Sequence, residues 1–296
     1  MAFETNFDSK KNPNCSSGVL AQCRALKTDF PYLRMGVAGY SVMGKCIPAL
    51  YLGNGERRVL FCAAHHANEW LTSIVLLNYI RSLCENGDIG GYTACFVPLL
   101  NPDGMDIVSG ALCSGPYFEE AAETALRYPH IPFPSGWKAN IRGVDLNLQY
   151  PARWEKAKMI KAAGGYNSPS PRDFAGFCPL SEPESRALAE LTENFLPHVA
   201  ISLHSQGEVI YYSHAGAAPE GARQLGEKMA AAGGYQLEIT PAESDNAGYK
   251  DWVIARFGVS AYTIELGLGE NPLPISELES ICRRAFPMLQ ITLDGV

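Results

Sequence analysis

The chain has 296 residues, of which 47% are hydrophobic and 19% charged, enough apolar content for a substantial core and too much for a disordered polyelectrolyte. Its net charge of -7 gives nucleic acid and anionic membranes no general electrostatic hold, so neither is expected as a partner and any basic function must be local. No run approaches the ~18 apolar residues of a membrane span, and residues 1–17 carry no apolar stretch behind a basic start of the signal-peptide kind.

Residues 1–35 read as a lead-in and a helix. Short apolar runs at 59–64, 94–100, 199–203 and 261–264 then read as strands buried on both faces. Helical periodicity falls between them, at 69–83 and 182–196, and Ser181 with Glu184 three residues on forms a predicted capping box for the second. A further helix is predicted over about 219–232, closed by Gly233 and Gly234, and a last one over 276–293, with a kink expected at Pro287. This alternation predicts an α/β sheet with helices on its faces. Residues 109–142 and 163–179 are rich in Gly, Pro and aromatics and read as long loops, the usual material of a binding site. No repeat, linker or composition shift divides the chain, so 1–296 reads as a single domain. The nine cysteines are scattered without C-x-x-C spacing, which predicts reduced thiols and a cytoplasmic location; Cys62 and Cys95 sit in apolar runs as packing residues.

Chemistry concentrates at the ends of the predicted strands. His66 follows the first apolar run, and Glu69 stands three residues later at the start of a helix, where both can face one ion. Zinc accepts such nitrogen and oxygen donors, and a catalytic zinc keeps three protein ligands. A capped helix start beside an incidental histidine has the same short pattern. His204 closes the third run and Glu265 the fourth. Taken singly, the first could be a satisfied core histidine and the second a sheet-edge ion pair, since a carboxylate ending an apolar strand needs water, a partner or an ion. Their joint occurrence at strand ends argues for one site. His65, next in the chain to His66, should point the other way by strand alternation and is read as structural.

Five segments in order, His66-Ala67-Asn68-Glu69-Trp70, Asn101-Pro102-Asp103-Gly104, Gly143-Val144-Asp145-Leu146-Asn147, Ser202-Leu203-His204-Ser205 and Tyr262-Thr263-Ile264-Glu265-Leu266, resemble the landmarks of the zinc carboxypeptidase (M14) family. The resemblance spans roughly residues 36–294. It implies a mixed, mostly eight-stranded sheet sandwiched between helices, one zinc per chain on His66, Glu69 and His204, and Glu265 as the general base. It further implies that Asp145 accepts the other ring N–H of the first zinc histidine, and that Asn147 contacts a substrate carboxylate.

Where digestive carboxypeptidases carry an Arg that clamps the substrate C-terminus, this chain has Leu148, which cannot make that bidentate contact. Residues 137–151 look more like a bacterial branch of the family, the γ-D-glutamyl-L-diamino acid endopeptidases, which implies cleavage of the γ-D-Glu to diaminopimelate (or Lys) bond in peptidoglycan stem peptides. Lys138 stands where the family usually has its oxyanion-stabilising Arg, and Arg142 is a nearby alternative; a solvated loop charge is the reading for the other. Lys250 stands where the resembled family places the residue that sets the charge of the primed-side pocket, which implies a fit to a substrate carboxylate, with an exposed lysine at a helix start as the alternative. Tyr249 is the nearest counterpart of the family's general-acid tyrosine.

The resulting expectation is zinc-dependent hydrolysis of a muropeptide or other small peptide. A metallocarboxypeptidase or small-molecule amide deacylase is the alternative on the same fold, and a catalytically silent binding module the alternative from another class. Leu148 argues against the carboxypeptidase, and retention of His66, Glu69, His204 and Glu265 argues against the silent module.

Overall fold

The computed structural model describes residues 14–87 and 90–295. In chain order the elements begin with α1 (Ser16–Asp29), β1 (Arg34–Tyr40), β2 (Cys46–Gly53), β3 (Arg57–Ala63), α2 (Leu71–Asn86), β4 (Tyr92–Val97) and α3 (Pro102–Val108). They continue with α4 (Pro116–Leu126), α5 (Trp154–Ala163), α6 (Pro183–Phe195), β5 (Val199–His204) and β6 (Val209–Tyr211). The last are α7 (Ala222–Gly233), β7 (Gln236–Glu238), α8 (Tyr249–Phe257), β8 (Ser260–Glu265) and α9 (Leu278–Asp294). All strands join one mixed eight-stranded sheet in the order β1-β2-β4-β3-β5-β8-β6-β7. The centre, β4-β3-β5-β8, is parallel, and antiparallel pairings bring in β1 and β2 on one flank and β6 on the other.

Alternation along the central strands feeds two cores. Val59, Phe61 and Ala63 of β3 pack with Ile201 and Leu203 of β5 under α1, α2, α7 and α9. Leu60 and Cys62, with Ala200 and Ala261, face α6 and α8. Both faces being covered, these strands are mostly apolar, with Ser202 and Thr263 as interior exceptions, and charged residues stand only at their ends. Cys62 and Cys95 are fully buried packing residues.

Several boundaries differ from those the sequence predicts. Ser181 does not cap α6: Glu182 is the N-cap and makes no side-chain cap bond, while the Ser181 hydroxyl is drawn to the Gln149 and Glu182 side chains. A 3-10 turn, Ala67–Glu69, precedes α2, so Glu69 lies just outside that helix. α7 starts at Ala222 and is closed by left-handed Gly234 (φ 68). The 109–142 segment contains α4 rather than being loop throughout. Pro287 lies inside α9 without ending it.

The loop between α4 and α5 is fastened by buried Asn140. Its Oδ1 accepts the backbone N–H groups of Arg142 and Val144 at 3.0 and 3.1 Å, and its Nδ2 donates to Glu182 and Glu184 at 2.8 and 3.3 Å. Burial pushes the Glu184 carboxyl up to about 7, against hydrogen bonds that favour the ionised form. A carboxyl raised in the folded state stabilises fully below its unfolded pKa, and that contribution is lost as pH climbs through 7. Glu184→Gln should remove the dependence. From pH 5 to pH 8 the stability of the variant relative to wild type is expected to rise by about 2–3 kcal/mol, read from urea unfolding at both values; a constant difference would show that Glu184 is ionised throughout.

Candidate active site

The carboxyl ends of β3, β5 and β8 lie side by side because the three strands are parallel and in register. β5 and β8 pair His204 with Glu265, each the last residue of its strand. His66 follows β3 after Ala64, which turns the chain with a left-handed backbone (φ 54). The 3-10 turn then brings Glu69 back under His66, and the two meet at 2.9 Å between Nδ1 and Oε1. The other Glu69 oxygen meets His204 Nδ1 at 3.0 Å, and the two histidine Nδ1 atoms face each other at 3.2 Å.

Two aromatic nitrogens and a carboxylate converging in this way make a donor set suited to zinc. A tetrahedral zinc with bonds of ~2.0–2.1 Å keeps its ligand atoms about 3.3 Å apart, and the three contacts here lie at or a few tenths of an ångström inside that spacing. The electrostatics agree. Burial pulls the His66 imidazole down, but Glu69 overrides it and lifts it to about 9. Burial likewise opposes ionisation of Glu69, yet His66 and Lys138 hold its carboxyl well below the usual carboxylate range. A potential that retains a proton on His66 is one that a metal cation satisfies in its place.

His66 Nε2 contacts Asp145 Oδ1 at 3.2 Å, which orients the ring so that Nδ1 faces the donor cluster. Burial opposes the charge on Asp145, but His66 keeps it ionised, well below the ordinary range. Asp145 also accepts the backbone N–H groups of Asn147 and Asp173, which fixes it in the loop. His65 is fully buried on the other side of the strand end, with Nε2 3.1 Å from the Tyr150 hydroxyl and its ring stacked on His204.

A cavity of about 860 Å³ opens over this cluster, and its wall includes His66, Lys138, Asp145, Asn147, Lys250 and Glu265. Lys138 Nζ reaches Glu69 Oε1 at 3.0 Å; burial works against its charge, and Glu69 more than restores it. The Glu265 carboxyl is raised, first by burial and then by the Glu69 charge. Arg142 is not on this wall: its side chain is exposed and turned to Glu182 at 3.5 Å. Lys250 is buried, not solvated, with Nζ bonded to the Ser213 carbonyl and Asp251. Asn147 Oδ1 accepts the Tyr249 N–H at 3.0 Å, tying the loop to the start of α8.

Tyr249 is not brought to the cavity. Its ring packs among His65, Tyr150 and Trp252, and its hydroxyl lies 2.8 Å from that of Thr192, a turn of the side chain that position in the chain does not reveal. Leu148 lies beside Asn147 among Trp154, Ala157, Ala175 and Ala247, so apolar surface stands next to the site there. Asn68 and Arg172 are among the wall residues that the sequence expectations do not include. Asn68 is buried with its Oδ1 lacking a hydrogen-bond partner among the described residues, and it was legible as the polar residue between His66 and Glu69. Arg172 stands at the rim; the 163–179 loop was expected to build the site, but nothing in it marks this residue.

A model of the zinc carboxypeptidase family of M14 peptidases matches residues 19–288. The chain belongs to that family. It is 36% identical over 287 residues to γ-D-glutamyl-L-diamino acid endopeptidase 1 of Lysinibacillus sphaericus, covering 91% of this chain and 69% of the relative. In fold it resembles carboxypeptidase A from Helicoverpa armigera (TM-score 0.73, 20% identity, 95% of this chain and 72% of the other). It also resembles the murein-tripeptide amidase of Escherichia coli O157 (TM-score 0.58, 21% identity, 88% and 91%). As an M14 metallopeptidase the chain is a zinc enzyme by family, with His66, Glu69 and His204 as the residues that would hold the ion. Among the described residues no helix is long and apolar enough to cross a membrane.

If these three residues bind the metal, His204→Ala purified beside wild type should lose nearly all its zinc by elemental analysis. Asp145→Asn should weaken zinc binding by about 10–100-fold, the usual cost of losing a group that orients a metal histidine; unaltered zinc in both variants would exclude the assignment.

Proposed function

We propose that this M14 peptidase hydrolyses the γ-D-glutamyl to diamino acid bond of peptidoglycan stem peptides, taken as muropeptides, with Glu265 as general base and Lys138 stabilising the oxyanion. The observation that carries the chemistry is the convergence of His66, Glu69 and His204 beside Glu265. The bond chosen is supported by the similarity to the Lysinibacillus sphaericus endopeptidase over nine-tenths of the chain. Leu148 supports it too, because it leaves a C-terminal carboxylate without the Arg clamp that a digestive exopeptidase uses.

A zinc ion on the three residues supplies Lewis acidity toward the scissile carbonyl and toward water. Glu265 removes a proton from the attacking water, and its raised carboxyl suits it to carry that proton and pass it to the leaving amine. The Lys138 ammonium, on the cavity wall beside Glu69, meets the charge that develops on the carbonyl oxygen. Arg142, exposed and facing Glu182, takes no part. With Tyr249 buried against Thr192, Glu265 serves as both base and acid. Lys250 and Asn147 line the same cavity and receive the carboxylate of the diamino acid on the leaving side.

Glu265→Gln is expected to retain zinc while losing at least about 100-fold in kcat, the lower range for a proton-transfer group; turnover close to wild type would remove Glu265 from the mechanism. The substrate is tested by mass spectrometry of digests of L-Ala-γ-D-Glu-meso-diaminopimelate alongside N-blocked dipeptides with free C-termini. Release of diaminopimelate is expected. Cleavage of the dipeptides alone would make the protein a carboxypeptidase.

A further inference from the structure

The charged side chains around the cavity are not equally committed. Lys138 is drawn to Glu69, Lys250 is bonded to Asp251 and the Ser213 carbonyl, and Lys161 donates to Asp173 at 2.5 Å. Arg172 is held differently. Its Nε donates to Asp173 Oδ2 at 2.6 Å, while its two terminal nitrogens have no protein acceptor among the described residues. The guanidinium is thus anchored at its base on the cavity wall, with the side chain 44% exposed.

The backbone on either side of Arg172 is joined to the catalytic loop. Pro171 O accepts the N–H groups of Lys138 and Ala139 at 2.8 and 3.0 Å, and the Asp173 N–H donates to Asp145 Oδ2 at 3.2 Å. One residue in each direction, the chain is therefore fixed to the group proposed for the oxyanion and to the carboxylate that orients His66. The guanidinium is near enough to Lys138 for its charge to oppose that of the ammonium. Lys250 is mounted elsewhere, at the start of α8 among His214, Asp245 and Asp251. The turn at Asp145 and Asn147 joins the two regions, since Asp145 touches the Arg172 segment and Asn147 the start of α8.

We infer that Arg172 receives a free carboxylate on the acyl side of the scissile bond and so selects γ-linked glutamyl groups over residues that carry no carboxylate there. This rests on the reading of the substrate given above. In a γ-glutamyl amide the α-carboxylate is four bonds from the scissile carbon, within about 5 Å, and it carries a full charge. A γ-glutamyl group whose α-carboxylate is an amide, or an α-linked residue without an acidic side chain, offers no carboxylate at that place. A planar fork with both terminal nitrogens available fits a carboxylate in two hydrogen bonds, which a lysine ammonium does not reproduce. Of the two separately mounted cations, Arg172 keeps its terminal nitrogens for the glutamyl carboxylate, whereas Lys250 is already paired with Asp251 and the Ser213 carbonyl.

The test uses the zinc-loaded full chain and two substrates, L-Ala-γ-D-Glu-meso-diaminopimelate and the same peptide with the glutamyl α-carboxylate converted to its amide. The readout is the ratio of kcat/KM for the acid over the amide. Wild type should prefer the acid by about 10–100-fold, the range for a charge-assisted bidentate pair. In Arg172→Ala the ratio should fall to within about threefold of unity. Arg172→Lys should fall between, because it restores charge without the fork. General damage to the loop lowers both rates together and leaves the ratio at its wild-type value, which would overturn the inference, as would a wild-type ratio near unity. Failure of wild type to release diaminopimelate from either peptide would overturn the substrate reading, and this inference with it.

Discussion

A carboxylate only 1% exposed, that of Glu69, sits at the centre of the site, and its charge must be met from within the protein. Both oxygens are occupied: one by His66 and Lys138, the other by His204 and the Ser205 backbone N–H. Removing such a group from water costs several kcal/mol unless partners compensate it, so these residues are held together by a requirement that a metal ion on the same donors would also meet. Asp145 extends the arrangement. It is a second buried carboxylate, on the far nitrogen of His66, and it ties the ring to the 170–173 segment.

The sheet supplies the precision that this requires. Parallel β3, β5 and β8 end at one level, so residues far apart in the chain leave the apolar layer at a common edge. Side chains one step earlier along the same strands go into the cores: Ala63, Leu203 and Ile264 pack among the residues under α2, α7 and α9. A one-residue slip of β5 would turn His204 into that core and present Leu203 to the site. The register that stabilises the sheet is thus the register that assembles the donors.

The groups proposed for metal binding and proton transfer and those proposed to contact the substrate are carried by different parts of the molecule. His66, His204 and Glu265 stand on or just beyond strands, whereas Lys138, Asn147 and Arg172 come from the loops between α4 and α6. Those loops are themselves pinned, by Asn140 to the start of α6 and by Pro171 to Lys138. Loops can change their side chains without disturbing the cores beneath, so a fold of this kind can keep its strand-end donors while the groups around them vary. Leu148 is such a position, beside Asn147 and packed against Trp154 and Ala157.

The central strands and the donors at their ends could be read from the sequence because parallel strands covered on both faces are continuously apolar, and a histidine or glutamate at the end of such a run stands out. The flanking strands could not. β1 has no buried residue and carries Gly36 and Gly39, β2 contains Pro48, and β6 and β7 are three residues each, too short for a periodic signal. Motif spacing placed His66, Glu69, His204, Asp145 and Glu265 in one constellation, but it left Lys138 and Arg142 as equal candidates four residues apart. Only the folded loop separates them, turning one to Glu69 and the other to Glu182. The same holds for Tyr249, whose hydroxyl the tertiary structure commits to Thr192, and for Arg172, whose base it anchors to Asp173 on the cavity wall. Local pattern singled out the donor residues at the strand ends; the directions of Lys138, Arg142 and Tyr249 depend on contacts with residues 69, 40 and 57 positions away, which no local pattern encodes.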